Sequence, residues 1–80
     1  MTTRARMLAL IDTYKHEPPL IREIAARVVF DLGEEDTYIE DEEDAALMDA
    51  LRRQWPEATD EEITRGFNLA VTVAETVKQH

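Results

Sequence analysis

Apolar side chains recur at positions i, i+3, i+4 and i+7 in four segments of the chain, which is the pattern of helices with one buried face. The first segment begins after Thr2 or Thr3, either of which can act as an N-cap, and we expect it to end near His16. Its apolar face consists of Met7, Leu8, Leu10, Ile11 and Tyr14.

Proline and glycine mark the limits of the second segment. Pro18 and Pro19 cannot continue the first helix, but proline suits the first turn of a new one, where its missing N–H has no partner to lose. The helical pattern then covers residues 20–32, and we expect Gly33 to be its C-cap. The apolar positions are Leu20, Ile21, Ile24, Ala25, Val28, Val29 and Leu32.

The third and fourth segments are separated by a stop signal and a start signal. Pro56 ends the third, and Thr59-Asp60-Glu61-Glu62 forms a capping box that predicts a helix beginning at Asp60. The third has the apolar face Ala45, Leu47, Met48, Leu51 and Trp55. The fourth is apolar over more than half of its circumference, through Ile63, Phe67, Leu69, Ala70, Val71, Val73, Ala74 and Val77.

So wide an apolar face predicts that the fourth helix is either central in the fold or partly buried in an oligomer. Gly66 lies within it and costs a helix about 1 kcal/mol relative to alanine, so we expect close packing against another helix there. The four segments and their short connections predict one all-α domain over residues 1–80, a small four-helix fold of orthogonal or bundle-like type. Three helices plus an acidic loop is the alternative.

Acidic residues are concentrated in the middle of the chain. The net charge is −9, but residues 31–62 hold fourteen acidic side chains against Arg52 and Arg53, a local net charge of −12. Within this stretch, residues 34–44, here called the acidic segment, contain eight carboxylates and no basic residue. We predict that it forms a loop or the first turn of the third helix. The predicted partner-binding residues are Glu34, Glu35, Asp36, Tyr38, Glu40, Asp41, Glu42, Glu43 and Asp44.

The side chains that nucleophilic catalysis uses most often are absent or few. The chain has no serine and no cysteine, and its histidines are His16 at a predicted helix end and His80 at the last position. With Gly33 and Gly66 as its two glycines, it contains neither a glycine-rich phosphate loop nor the calcium-loop pattern. We therefore expect no enzymatic activity, no cofactor and no metal site.

Residues 21–28 resemble the first helix of a helix-turn-helix domain, with the order Ile-Arg-Glu-Ile-Ala-Ala-Arg-Val. A turn and a basic recognition helix do not follow, because Gly33 and the acidic segment come next. Affinity for duplex DNA depends on neutralising phosphates with lysine and arginine, and a strongly negative segment repels them. Direct binding to nucleic acid is therefore not expected.

These features predict a non-catalytic protein-interaction module whose acidic segment docks on a basic partner surface. Its sharper form is a nucleic-acid mimic that occupies a nucleic-acid-binding protein, by analogy with small acidic phage inhibitors of restriction or CRISPR machinery. The alternative is an assembly protein that forms a homodimer through the fourth helix and uses its charge for solubility. With no apolar leader or membrane span, we expect a cytoplasmic protein without a membrane partner.

Overall fold

The computed structural model describes residues 1–35, 37 and 41–79, and for residues 41–44 the backbone alone. It contains α1 (Thr3–Thr13), α2 (Pro19–Phe30), α3 (Asp41–Gln54) and α4 (Asp60–Lys78), and no strand within these ranges. The predicted all-α fold with four helices is confirmed. Since α3 begins inside the acidic segment, the alternative of three helices and an acidic loop is wrong.

The helix starts follow the local sequence signals. The Thr2 hydroxyl oxygen accepts a hydrogen bond from the Ala5 N–H at 3.1 Å, so Thr2 is the N-cap of α1. Pro19 is the first residue of α2. Helix α4 begins at Asp60 after the Thr59 cap, as the capping box predicted.

Two helix ends differ from the prediction. Helix α1 ends at Thr13, and the Tyr14 N–H donates to the Ile11 carbonyl at 3.0 Å, the tighter turn that commonly closes a helix. Helix α2 ends at Phe30, and its C-cap is Asp31 with an ordinary right-handed backbone. Gly33 has no positive φ and is not a left-handed cap. The end of α2 is closed instead by a side chain from α1, described below.

Helix α1 runs antiparallel to α4. Near its beginning, Arg6 shares a surface groove with Val77 of α4. Beyond its end, the Glu17 carboxylate accepts a hydrogen bond from Arg65 Nη2 at 2.7 Å. The two ends of α1 therefore lie beside opposite ends of α4.

Helix α2 runs antiparallel to α1 and parallel to α4. Its end lies beside the start of α1, where Arg4 contacts the Phe30 carbonyl, and its start lies beside the start of α4, where Leu20 and Glu62 line one pocket. Helix α3 ends at the same end of the domain, since Arg52 Nε donates to Asp60 Oδ1 at 3.1 Å. The starts of α2 and α4 and the end of α3 are thus close together.

The core is made of apolar residues from all four helices, and no polar or charged residue is buried among the described ones. Helix α4 packs against each of the other three, which accounts for its wide apolar face within one chain. Gly66 is buried where α4 meets α2, as predicted from its position. The buried apolar residues are Met7, Ile11, Ile21, Ile24, Ala25, Val28, Val29, Leu51, Ile63, Leu69, Ala70, Val73, Ala74 and Val77.

Within the described ranges, none of the four helices combines the length and apolar composition needed to cross a bilayer.

Candidate functional site

The acidic segment connects α2 to α3 and forms the first turn of α3. Glu34 and Glu35 follow the end of α2, and both are exposed. Residues 41–44 belong to the first turn of α3, although their side chains lie outside the description. The remaining predicted site residues, Asp36, Tyr38 and Glu40, lie outside the described residues.

The beginning of the acidic segment is attached to α1. Thr3 Oγ1 donates to Glu35 Oε2 at 2.7 Å, and the Thr3 N–H donates to Glu35 Oε1 at 3.4 Å. The Arg4 N–H donates to the Glu34 carbonyl at 2.8 Å. Glu35 thus places a negative charge at the positive end of the α1 dipole, which stabilises the helix. Its side chain has a structural role that was not predicted, because its partner is 32 residues away in sequence.

Arg4 is the side chain that closes the end of α2. Its Nη2 donates to the Phe30 carbonyl at 3.2 Å and also to the Leu32 carbonyl. Its guanidinium lies 5.4 Å from the centre of the Phe30 ring, within range of a cation–π interaction. These contacts hold the last turn of α2, and with it the entry to the acidic segment, against α1.

A second group of acidic residues lies at the opposite end of the domain, where α4 begins. Asp60 is paired with Arg52, which also binds Asp49 Oδ1 at 3.2 Å. In the described part of the chain, Glu57 and Glu61 form no ion pair. A 14-residue helix is about 20 Å long, so α3 connects the two acidic regions across roughly that distance.

Trp55 forms one wall of a pocket at this end of the domain. The Trp55 N–H donates to the Leu51 carbonyl at 2.9 Å, and its carbonyl accepts from the Ala58 N–H at 3.1 Å, so the residue sits in a hydrogen-bonded turn. The indole is half-buried against the core. The pocket has a volume of about 440 Å³ and is lined by Leu20, Gln54, Trp55, Pro56, Glu57, Ala58 and Glu62.

Sequence reasoning assigned Trp55 to the apolar face of the third helix and did not find this pocket. The local signal was a tryptophan and a proline directly before a capping box, a combination that exposes part of an aromatic ring at a fixed turn. The other half of the pocket comes from Leu20 at the start of α2, 35 positions earlier, which no local pattern indicates.

Comparisons with protein-family models, with curated proteins and with solved structures gave no match to this chain. The exposed carboxylates can accept hydrogen bonds from cationic groups. The Trp55 pocket can receive a side chain.

Proposed function

We propose that this chain is a non-catalytic interaction module whose acidic segment docks on a basic surface of a partner protein. One observation supports the proposal above all. Residues 34–44 carry eight carboxylates and no basic residue, and the core contains no charged residue among those described. Of the two carboxylate side chains of the segment that the structure describes, Glu35 binds Thr3 and Glu34 makes no ion pair with a described residue.

Electrostatics explains what such a segment does. A block of carboxylates without neighbouring bases produces a negative potential that extends about one Debye length, roughly 10 Å at 0.1 M salt. This field increases the rate of association with a basic partner and disfavours acidic ones. Binding should therefore weaken as salt concentration rises.

The competing role, a homodimer formed through α4, was suggested by the wide apolar face of this helix. The wide apolar face of α4 is covered by α1, α2 and α3 of the same chain. Phe67 and Val71 remain half-buried, which is ordinary for apolar residues at the margin of a core.

Reversal of charge in the acidic segment tests the proposal. The test variant carries Glu40→Lys, Asp41→Lys and Glu43→Lys, and leaves Glu35 unchanged because that carboxylate binds Thr3. The matched control makes the same change of net charge at the exposed positions Asp12, Glu23 and Glu75, on α1, α2 and α4. We expect both variants to keep the helical circular dichroism of the wild type, which is measured before any capture experiment.

The readout is capture of partners from an extract of the native host at low and high salt. We expect the test variant to lose the proteins that the wild type retains at low salt, and the control variant to keep them. Equal capture by all three proteins would contradict the proposal, as would equal loss from both variants, which would indicate net charge alone.

A further inference from the structure

The pocket beside Trp55 is lined by apolar side chains, one aromatic ring and two carboxylates. We propose that it receives an arginine side chain of the basic partner. This inference rests on the proposed function, which supplies a partner surface rich in such residues. It adds a specific anchor to an interaction that is otherwise long-range and non-directional.

The charged residues that line the pocket are both acidic. Its lining includes Glu57 and Glu62 and no basic residue. Glu62 is held in place because its Oε1 accepts a hydrogen bond from the Thr59 N–H at 2.8 Å, while the Thr59 hydroxyl accepts from the Glu62 N–H at 3.1 Å. Its Oε2 has no hydrogen bond within the described residues and is available to a donor.

The remaining walls suit the stem and the flat face of a guanidinium. Leu20, Pro56 and Ala58 are apolar surfaces for methylene groups, which long basic side chains bury while their charge stays near water. Trp55 is a lining residue, and tryptophan is the side chain on which arginine stacks most favourably. Because Pro56 has a fixed φ and Trp55 is hydrogen-bonded on both sides, little conformational freedom is lost when the pocket is filled.

Helix α3 fixes the spacing of the two contacts. It begins at Asp41 within the acidic segment and ends at Gln54, directly before Trp55, so the contacts are about 20 Å apart. A partner that uses both must present an arginine at that distance from the basic patch that meets the acidic segment.

The chain has a single tryptophan, so its indole N–H gives one NMR signal that reports on this pocket. The experiment titrates the ¹⁵N-labelled full chain with acetyl-Gly-Arg-Gly-amide, with the peptide that has neutral citrulline in place of arginine, and with the leucine peptide. We expect a saturable shift of the indole signal with the arginine peptide, in the millimolar range typical of one small anchor, and at least fivefold weaker binding of the other two.

Variants identify the carboxylates involved. Glu57→Gln and Glu62→Gln should each weaken binding of the arginine peptide by about two- to fivefold, the effect of losing one exposed ion pair. Glutamine at position 62 retains the capping box, so the pocket wall stays in place. The control is Glu61→Gln, which removes a neighbouring carboxylate that does not line the pocket and should leave the affinity unchanged.

Three results would overturn the inference: no shift with the arginine peptide, equal affinity for the citrulline peptide, or tighter binding of the leucine peptide.

The same titration on the variant with Glu40→Lys, Asp41→Lys and Glu43→Lys separates this inference from the proposed function. Asp41 and Glu43 lie in the first turn of α3, about 16–20 Å along the helix from Gln54, so these changes should not alter peptide binding at 0.1 M salt, where the Debye length is roughly 10 Å. If the arginine peptide binds but charge reversal in the acidic segment leaves partner capture unchanged, the proposed function is contradicted and the pocket inference is not. If charge reversal in the acidic segment abolishes partner capture but the arginine peptide does not bind, the pocket inference is contradicted and the proposed function is not.

Discussion

Gly66 of α4 and Ile24 of α2 lie closer together than a larger residue at position 66 would allow. A Cβ atom built on Gly66 would stand 2.5 Å from the Ile24 Cβ and would also overlap its Cγ2, with the Ile21 carbonyl oxygen 3.2 Å away. Isoleucine is branched at Cβ and has few side-chain conformations within a helix, so Ile24 cannot rotate out of the way. The absence of a side chain at position 66 is what brings α2 and α4 into contact.

We therefore expect Gly66→Ala to destabilise the protein. Alanine would gain about 1 kcal/mol of helix propensity, but forcing a methyl group into a packed contact costs typically 1–3 kcal/mol, and because the obstacle here includes a Cβ atom and a backbone carbonyl we expect the upper part of that range, about 2–3 kcal/mol. A net loss of about 1–2 kcal/mol in the free energy of unfolding should appear in urea titrations. The double variant with Ile24→Ala should show a smaller effect of the position 66 change, because the Cγ2 overlap is gone.

Gly33→Ala is the matched control. Gly33 is exposed and has no positive φ, so alanine fits there and should be neutral or slightly stabilising through the unfolded state. Equal destabilisation at positions 33 and 66 would contradict the packing argument.

The capping box at the start of α4 makes Thr59 a second test position. Thr59→Ala removes the acceptor of the Glu62 N–H and should cost on the order of 1 kcal/mol. For a domain of this size, that corresponds to about 4–8 °C in the melting temperature measured by circular dichroism. Thr64→Ala, at an exposed position within the same helix, should change it little. An unchanged melting temperature for Thr59→Ala would show that the cap contributes nothing.

Arg4 tests whether α2 is closed by a distant side chain. Arg4→Met keeps the apolar stem but loses the hydrogen bonds to the Phe30 and Leu32 carbonyls, and we expect a loss of about 1–3 kcal/mol in urea titrations. The control Arg6→Met removes an exposed arginine two residues later and should have a much smaller effect. If both substitutions cost the same, the end of α2 does not depend on Arg4.

These positions also separate what the sequence could predict from what it could not. The starts of α1 and α4 depend on threonines that bond to amides three residues away, so a local pattern was sufficient. The end of α2 depends on Arg4, 26 positions before Phe30, and local reasoning wrongly chose Gly33. The charge of the acidic segment was evident from its composition, but the use of Glu35 by Thr3 and the pocket shared by Leu20 and Trp55 exist only once the helices pack.

Burial of α4 within its own chain leads us to expect a monomer. Sedimentation equilibrium at micromolar concentration should give a mass near 9.2 kDa. A mass near twice that value would restore the homodimer, and hydrogen exchange at Phe67 and Val71 on dilution would then show whether α4 forms its interface.

The last prediction concerns the kind of partner. If the basic surface bound by the acidic segment is itself a nucleic-acid site, its lysines and arginines cannot neutralise phosphates and carboxylates at the same time. Adding this protein should then release a fluorescent oligonucleotide from the captured partner. Release of the oligonucleotide should decrease as the salt concentration rises from 50 to 200 mM. The variant with Glu40→Lys, Asp41→Lys and Glu43→Lys should not release the oligonucleotide. The charge-matched control with changes at Asp12, Glu23 and Glu75 should still compete, because it leaves the acidic segment intact. Simultaneous binding of this protein and the oligonucleotide, with no loss of oligonucleotide affinity, would exclude mimicry. The interaction module would remain, with a basic surface outside the nucleic-acid site as its target.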